Sequence, residues 1–227
     1  MPFSGLAARV QEIRGRVAAA VARGGHDQAV ELVAVTKTYG PDAVLAAWDA
    51  GVQRVGENRV QEALEKMDQV DVPVEWHLIG HLQRNKARHA GRFALVHSVD
   101  SLRLAEALSA EGVARGRPLD VLVQVNVSGE QSKGGFAAAE LEANADVLRT
   151  LRGVVVRGVM TMAPLDASEG VLRQTFGGAR AALGRLQVAG HASARELSMG
   201  MSSDFEVAVE EGATMIRLGS ILFGARA

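Results

Sequence analysis

Glu31-Leu-Val-Ala-Val-Thr-Lys37 is a short, valine-rich apolar run that ends on a lysine. A run of this length, apolar throughout and bounded by polar residues, reads as a strand covered on both faces, as in a parallel sheet. The signature recurs down the chain. Strands are predicted over 32–36, 54–57, 74–79, 95–98, 119–127, 154–162, 196–199 and 215–218. Helical patterns fill the gaps over 42–50, 60–69, 84–89, 102–111, 137–151, 170–186 and 204–210, and an amphipathic helix over 6–22 precedes them all. Eight β-α units in about 200 residues specify a (β/α)8 TIM barrel of the α/β class with an extra N-terminal helix. An open doubly wound sheet would usually carry a glycine-rich first turn. Here the first strand runs into Lys37-Thr-Tyr-Gly-Pro, with neither a dinucleotide fingerprint nor a P-loop.

Local punctuation agrees. Pro41 suits the first turn of a helix, and Gly51 and Gly112 are expected to end theirs. Ser203 with Glu206 three residues on reads as a capping box, with Gly212 as the stop. No Pro/Ser-rich linker divides the 227 residues, so one domain over 1–227 is expected.

Composition narrows the function. Hydrophobic residues make up 48% of the chain, enough for a sizeable core, and the net charge of −1 gives no electrostatic pull toward nucleic acid or an anionic membrane. Aromatics at 4% argue against a base-stacking platform. There is no run of eighteen apolar residues and no signal-peptide core, so a cytoplasmic location is expected. Zero cysteines exclude disulfides, thiolate metal sites and a cysteine nucleophile.

The 25 basic residues include only four lysines. Lys66 lies in a charged helical stretch, Lys86 in a polar turn and Lys133 in a glycine-flanked loop, all plain settings for a solvated amine. Lys37 differs, because it caps a buried strand. Burial disfavours the ammonium form and leaves an amine able to attack a carbonyl, which is what a Schiff-base lysine needs. In a parallel barrel the strand C-termini share one face. Reading them in order gives Lys37, Glu57-Asn58, His77 with Gly80-His81, His97-Ser98, Asn126, Met160-Thr161-Met162, Ser198-Met-Gly-Met-Ser202 and Arg217-Leu-Gly-Ser220. Barrels often hold phosphate after strands seven and eight. Gly219 and Ser220 suit that role, with Ser198, Gly200 and Ser202 completing a cradle. One ligand carrying both an aldehyde and a phosphate is pyridoxal 5′-phosphate. Its ring would lie near Asn58, His77 and Met160, and Arg217, a donor only, would leave the pyridine nitrogen unprotonated. The alternative for Arg217 is an ion pair with Glu196 or Glu57. A zinc site on His77 and His81 is not expected, because the pair straddles a strand end and lacks the glutamate of HExxH.

The segments Ala34-Val-Thr-Lys37, Val55-Gly-Glu-Asn58, Trp76-His-Leu-Ile-Gly-His-Leu-Gln-Arg-Asn-Lys86, His97-Ser-Val-Asp100, Gln124-Val-Asn-Val-Ser128, Gly158-Val-Met-Thr-Met-Ala-Pro164, Leu197-Ser-Met-Gly-Met-Ser-Ser-Asp204 and Ile216-Arg-Leu-Gly-Ser-Ile-Leu-Phe-Gly224 resemble the pyridoxal phosphate homeostasis proteins. The match runs from about residue 31 to 226 with the family's spacing. The resemblance implies a barrel similar to the N-terminal domain of alanine racemase, with Lys37 holding the cofactor, Ser198, Gly219 and Ser220 on its phosphate and Arg217 on its ring nitrogen. It also implies a B6-balancing role without robust turnover; PLP-dependent apoenzymes as recipients, and a monomer or weak dimer, are expected alongside it. A full racemase adds a second domain with a catalytic tyrosine. None is expected here, since the one tyrosine, Tyr39, follows Lys37 by two residues. The rivals are a small PLP-dependent racemase or lyase, and a barrel aldolase acting on sugar phosphates. Lys86 and Lys133 are candidates for a second cofactor site.

Overall fold

A computed structural model describes residues 3–127, 129 and 134–224. Lys133, one of the second-site candidates, lies outside the described residues. Eight parallel strands close into a barrel in chain order, β1 pairing with both β2 and β8. They are β1 (Glu31–Val35), β2 (Arg54–Glu57), β3 (Glu75–Leu78), β4 (Leu95–Val99), β5 (Leu119–Gln124), β6 (Val154–Met160), β7 (Glu196–Ser198) and β8 (Met215–Leu218). Around them run α2 (Pro41–Asp49), α3 (Val60–Met67), α4 (Leu102–Ala114), α5 (Ala138–Thr150), α6 (Glu169–Val188), α7 (Phe205–Glu210) and α8 (Ser220–Phe223), while α1 (Leu6–Gly24) precedes β1. No helix among the described residues is long and apolar enough to cross a membrane.

The alternation of side chains along each strand divides the core in two. Outward residues such as Ala34, Val55, Leu78 and Val96 meet the helices in one continuous apolar layer with Phe176, Phe205 and Leu222. Inward residues Leu95, Leu122, Met160 and Met215 form a separate cluster inside the barrel. The α1 helix adds Leu6, Val10 and Ile13 to the outer layer. Its Arg16 and Arg23 pair with Glu206 on α7, and Arg23 also with Glu210.

Three local expectations are corrected. The helix expected over 84–89 is a 3₁₀ segment, Arg84–Arg92; Arg84, Lys86, Arg88 and Arg92 crowd it with like charge, and only Ala87 and Ala90 are buried. The N-cap of α7 is Asp204, not Ser203. Its carboxylate accepts the Met201 N–H, so it closes the preceding turn and leaves no capping box. Gly112 does not end α4 but lies inside it, where α4 crosses the start of β6. A Cβ at Gly112 would stand 1.9 Å from the Gly153 carbonyl oxygen.

That contact reverses the usual effect of a helical glycine. Replacing glycine by alanine in an exposed helix gains about 1 kcal/mol. Here Gly112→Ala forces backbone apart and is expected to cost roughly 2 kcal/mol, lowering Tm by about 4–8 °C. Calorimetry of the variant checks this, and an unchanged or higher Tm would contradict the crossing.

Candidate functional site

The inward face of the strand C-termini opens into a cavity of about 930 Å³. Val35 and Lys37 line it from β1, Asn58 from β2, Ile79 from β3, Gln124 from β5, Met162 from β6, and Arg217, Gly219 and Ser220 from β8 and the start of α8. Met201, Ser202 and Ser203 close one side, and His81 and Asp100 the other. Of the ten residues expected to touch a ligand, the cavity gathers Lys37, Asn58, Ser202, Arg217, Gly219 and Ser220.

The other four are placed elsewhere. His77 and Met160 lie one inward position too deep: two residues on, Ile79 and Met162 reach the cavity instead. Met160 packs with Leu95, Leu122 and Met215 in the barrel interior. Ser198 is fully buried, with its hydroxyl bonded to Arg217 and His97. Gly200 is needed by packing, since its Cβ would stand 2.7 Å from that of Ala208 on α7.

Arg217 is 5% exposed, and burial pulls its pKa down to about 10 although Asp204 opposes the shift. Its Nη1 donates to Ser198 Oγ at 2.6 Å and its Nη2 to the Thr161 carbonyl at 2.9 Å. The expected alternative, an ion pair with Glu196 or Glu57, is not what holds it. A guanidinium only donates, so Ser198 Oγ accepts from it, and the assignment that also uses the hydroxyl proton runs on to the histidines. The Ser198 hydroxyl gives its proton to His97 Nδ1 at 2.9 Å, so His97 carries hydrogen on Nε2. That nitrogen donates to His77 Nδ1, also at 2.9 Å. The remaining His77 Nε2–H points down the barrel, 4.0 Å from Glu75 Oε2. Burial, then the charge of Arg54, holds His77 down at about 3. Burial, then His77 and Arg217, holds His97 well below the usual range. Both rings are therefore neutral in the fold.

A second buried cluster sits beneath Lys37. Lys66, expected to be a solvated helix lysine, is 5% exposed. Its three donors are all used, on the Thr36 carbonyl (2.8 Å), Glu57 Oε1 (2.7 Å) and Glu62 Oε1 (2.8 Å). Thr36 Oγ1 adds a bond to the same Glu57 oxygen. Burial lifts the Glu57 carboxyl, while hydrogen bonds from Lys66 and Thr36 resist the rise. Burial would also lift Glu62, but the bonds from Lys66 and the Thr38 N–H outweigh it and draw it down. These contacts clamp the backbone on both sides of Lys37. Thr38 is held at φ 70°, a conformation that costs a β-branched residue on the order of 1 kcal/mol or more. Lys86, half-buried on the 3₁₀ segment, does not line the cavity.

Sequence reading missed His81 with Asp100. His81 Nδ1 lies 3.0 Å from Asp100 Oδ2 at the cavity rim, an imidazole oriented by a carboxylate. Both residues stood in quoted segments, but the spacing of nineteen residues gave no sign that β3 and β4 would bring them together.

The family model for the alanine racemase N-terminal domain matches residues 9–227. A pyridoxal phosphate homeostasis protein of Pseudomonas aeruginosa is 42% identical over 227 residues, covering 99% of this chain and 97% of that one. One of Aquifex aeolicus is 37% identical, covering 96% of this chain and 97% of that one. The chain belongs to the pyridoxal phosphate homeostasis protein family. Among solved structures, PipY of Synechococcus elongatus with PLP bound superposes with a TM-score of 0.85 at 38% identity, covering 96% of this chain and all of that one. Alanine racemase of Corynebacterium glutamicum shares the fold, with a TM-score of 0.74 at 17% identity over 99% of this chain and 61% of that one. Within the homeostasis family, the order and spacing of the quoted segments now have their physical meaning: each supplies one strand end to one cavity.

The neutral histidines make a pH prediction. In the unfolded chain an imidazole titrates near 6.5, and in the fold His77 resists protonation down to about 3. The unfolded state binds the extra proton, so stability is full above about pH 6.5 and is lost as pH falls toward 3. For His77 alone the loss by pH 4 is about 3 kcal/mol. Denaturant unfolding of the wild type and His77→Gln between pH 7 and 4 isolates it. The variant is expected to show the shallower slope, and parallel slopes would contradict the assignment.

Proposed function

We propose that the chain binds pyridoxal 5′-phosphate in the cavity at the barrel mouth, as a Schiff base on Lys37, and serves intracellular B6 homeostasis without robust turnover. The observation that carries the reading is the convergence of Lys37, Arg217, Gly219 and Ser220 on one cavity of about 930 Å³. The residues fit the group. Lys37 supplies the amine, and its backbone is clamped by Lys66 and Glu62. Ser202, Ser203 and Ser220 place hydroxyls around Gly219, a donor set suited to a phosphate. Arg217, kept cationic by a pKa of about 10, offers a donor that cannot take up a proton from the ring. When bound, the cofactor supplies an aldehyde that condenses with amines. The chain's own residues position it, keep part of it from water and hold the ring nitrogen unprotonated, which weakens it as an electron sink.

The name the relatives carry and the PLP-bound PipY structure support the same reading. Recipient PLP-dependent apoenzymes, a cytoplasmic location, a single domain over the whole chain, and a monomer or weak dimer belong to this proposal. A second reading, a small racemase or lyase, draws on one observation. The His81–Asp100 pair at the rim could move a proton. Turnover of an amino acid that is lost in both Lys37→Ala and His81→Gln would favour it.

The test is a visible-absorbance titration with pyridoxal 5′-phosphate. The wild type is expected to develop the absorbance of a Schiff base stoichiometrically, and Lys37→Ala is expected not to. Ser220→Ala with Ser203→Ala is expected to weaken binding about tenfold or more without removing the band. An undiminished band in Lys37→Ala would overturn the proposal.

A further inference from the structure

At the opposite end of the barrel lies a second cavity, of about 460 Å³, lined by four arginines. They are Arg92 from the 3₁₀ segment, Arg115 and Arg117 from the α4–β5 connection, and Arg157 from β6, with Asp120 as the acidic residue in the lining. In a chain whose net charge is −1 this is a local concentration of one sign.

Two of the four are already compensated. Arg157 pairs with Asp120 at 3.0 Å and Arg92 with Asp68 at 3.5 Å. Among the described residues, Arg115 and Arg117 have no carboxylate within ion-pair reach. Their backbone is fixed by the way α4 ends. Gly116 takes a left-handed φ of 68°, its N–H bonds to the Val113 carbonyl, and the Arg117 N–H bonds to the Gly112 carbonyl. That is a Schellman turn, and it sets the two arginines on either side of one glycine. Pro118 follows and stiffens the exit.

Arg115 does not fold back onto the carbonyls of its own helix, where a cation is commonly found. Its Nη2 reaches across to the Gly91 carbonyl at 3.2 Å. The guanidinium lies so close over Gly91 that a Cβ there would stand 2.1 Å from its Cζ. A glycine thus leaves the seat that Arg115 occupies.

We propose that this cavity binds a small phosphomonoester. Two uncompensated guanidinia match the charge of about −2 that a phosphomonoester carries at neutral pH. Their planar forks suit its oxygens, and the concave volume falls in the range of small-molecule sites. The cavity has no lysine among its lining residues, so binding there is non-covalent and independent of Lys37. A nucleic acid is disfavoured, because the molecule has no net positive charge to steer it and the cavity offers one aromatic residue, Phe93, which is buried.

Amide chemical-shift titration with glycerol 3-phosphate at 0.15 M ionic strength tests this, with glycerol as the control. Saturable shifts are expected at Gly91, Arg115 and Arg117, and none with glycerol. Arg117→Gln is expected to weaken binding about fivefold or more, the loss of one charge-assisted pair. Gly91→Ala, which displaces the Arg115 guanidinium without removing any arginine from the sequence, is expected to weaken it similarly. Arg117→Gln should leave the pyridoxal 5′-phosphate titration unchanged, which separates this site from the barrel mouth. Shifts confined to the Gly219 side, affinity unaltered in both variants, or tighter binding of a short single-stranded oligonucleotide would each overturn the proposal.

Discussion

A guanidinium buried inside the barrel, bonded to a hydroxyl and a carbonyl, is the constraint on which the rest depends. Taking a charge out of water without a bonded counter-ion costs several kcal/mol, and the protein meets that cost with a chain of oriented hydrogen bonds. Arg217 donates to Ser198, Ser198 to His97, and His97 to His77. Because the first member can only donate, Ser198 accepts from it and its own proton is free for His97, an arrangement in which each imidazole takes the tautomer that passes the chain on. The barrel interior is thereby split. Leu95, Leu122, Met160 and Met215 fill one part as an ordinary apolar core, and the polar chain fills another. A core of hydrocarbon throughout would be simpler, so the polar chain is best understood as the support for a cation at the cavity floor.

The clamp beneath Lys37 follows the same logic on the outer side of β1. The amine is not held by its own side-chain packing alone. Lys66 ties the Thr36 carbonyl to Glu57 and Glu62, and Glu62 takes the Thr38 N–H. Thr38 stays in a left-handed conformation because these bonds over-determine it. One cavity-facing lysine thus depends on a second, buried lysine that never reaches the cavity.

The architecture was legible because a parallel barrel repeats one simple signal eight times. The run from Glu31 to Lys37 and its seven counterparts needed only apolar length and polar ends to be recognised. The cavity residues at absolute strand ends, Lys37, Asn58 and Gly219, were legible for the same reason. Depth was harder to read. Strand alternation tells inward from outward but not which layer opens to solvent, so His77 and Met160 were placed one pleat too high. Partnership across the sequence was harder still. Nothing local distinguishes Lys66 from a surface lysine, because its burial is created by Glu57 and the turn after β1. The bond of His81 to Asp100 likewise exists only once β3 and β4 lie side by side. Helix ends failed where tertiary packing outranked punctuation, as at Gly112, which serves the crossing with Gly153 rather than a stop.

The central claim is that one amine, Lys37, holds the cofactor aldehyde. Borohydride reduction of the protein loaded with pyridoxal 5′-phosphate, followed by intact-mass measurement and peptide mapping, tests it most directly. The account predicts one added phosphopyridoxyl group per chain, on the peptide that contains Lys37. A label found chiefly on Lys86 or Lys133, or no stable label at all, would contradict it.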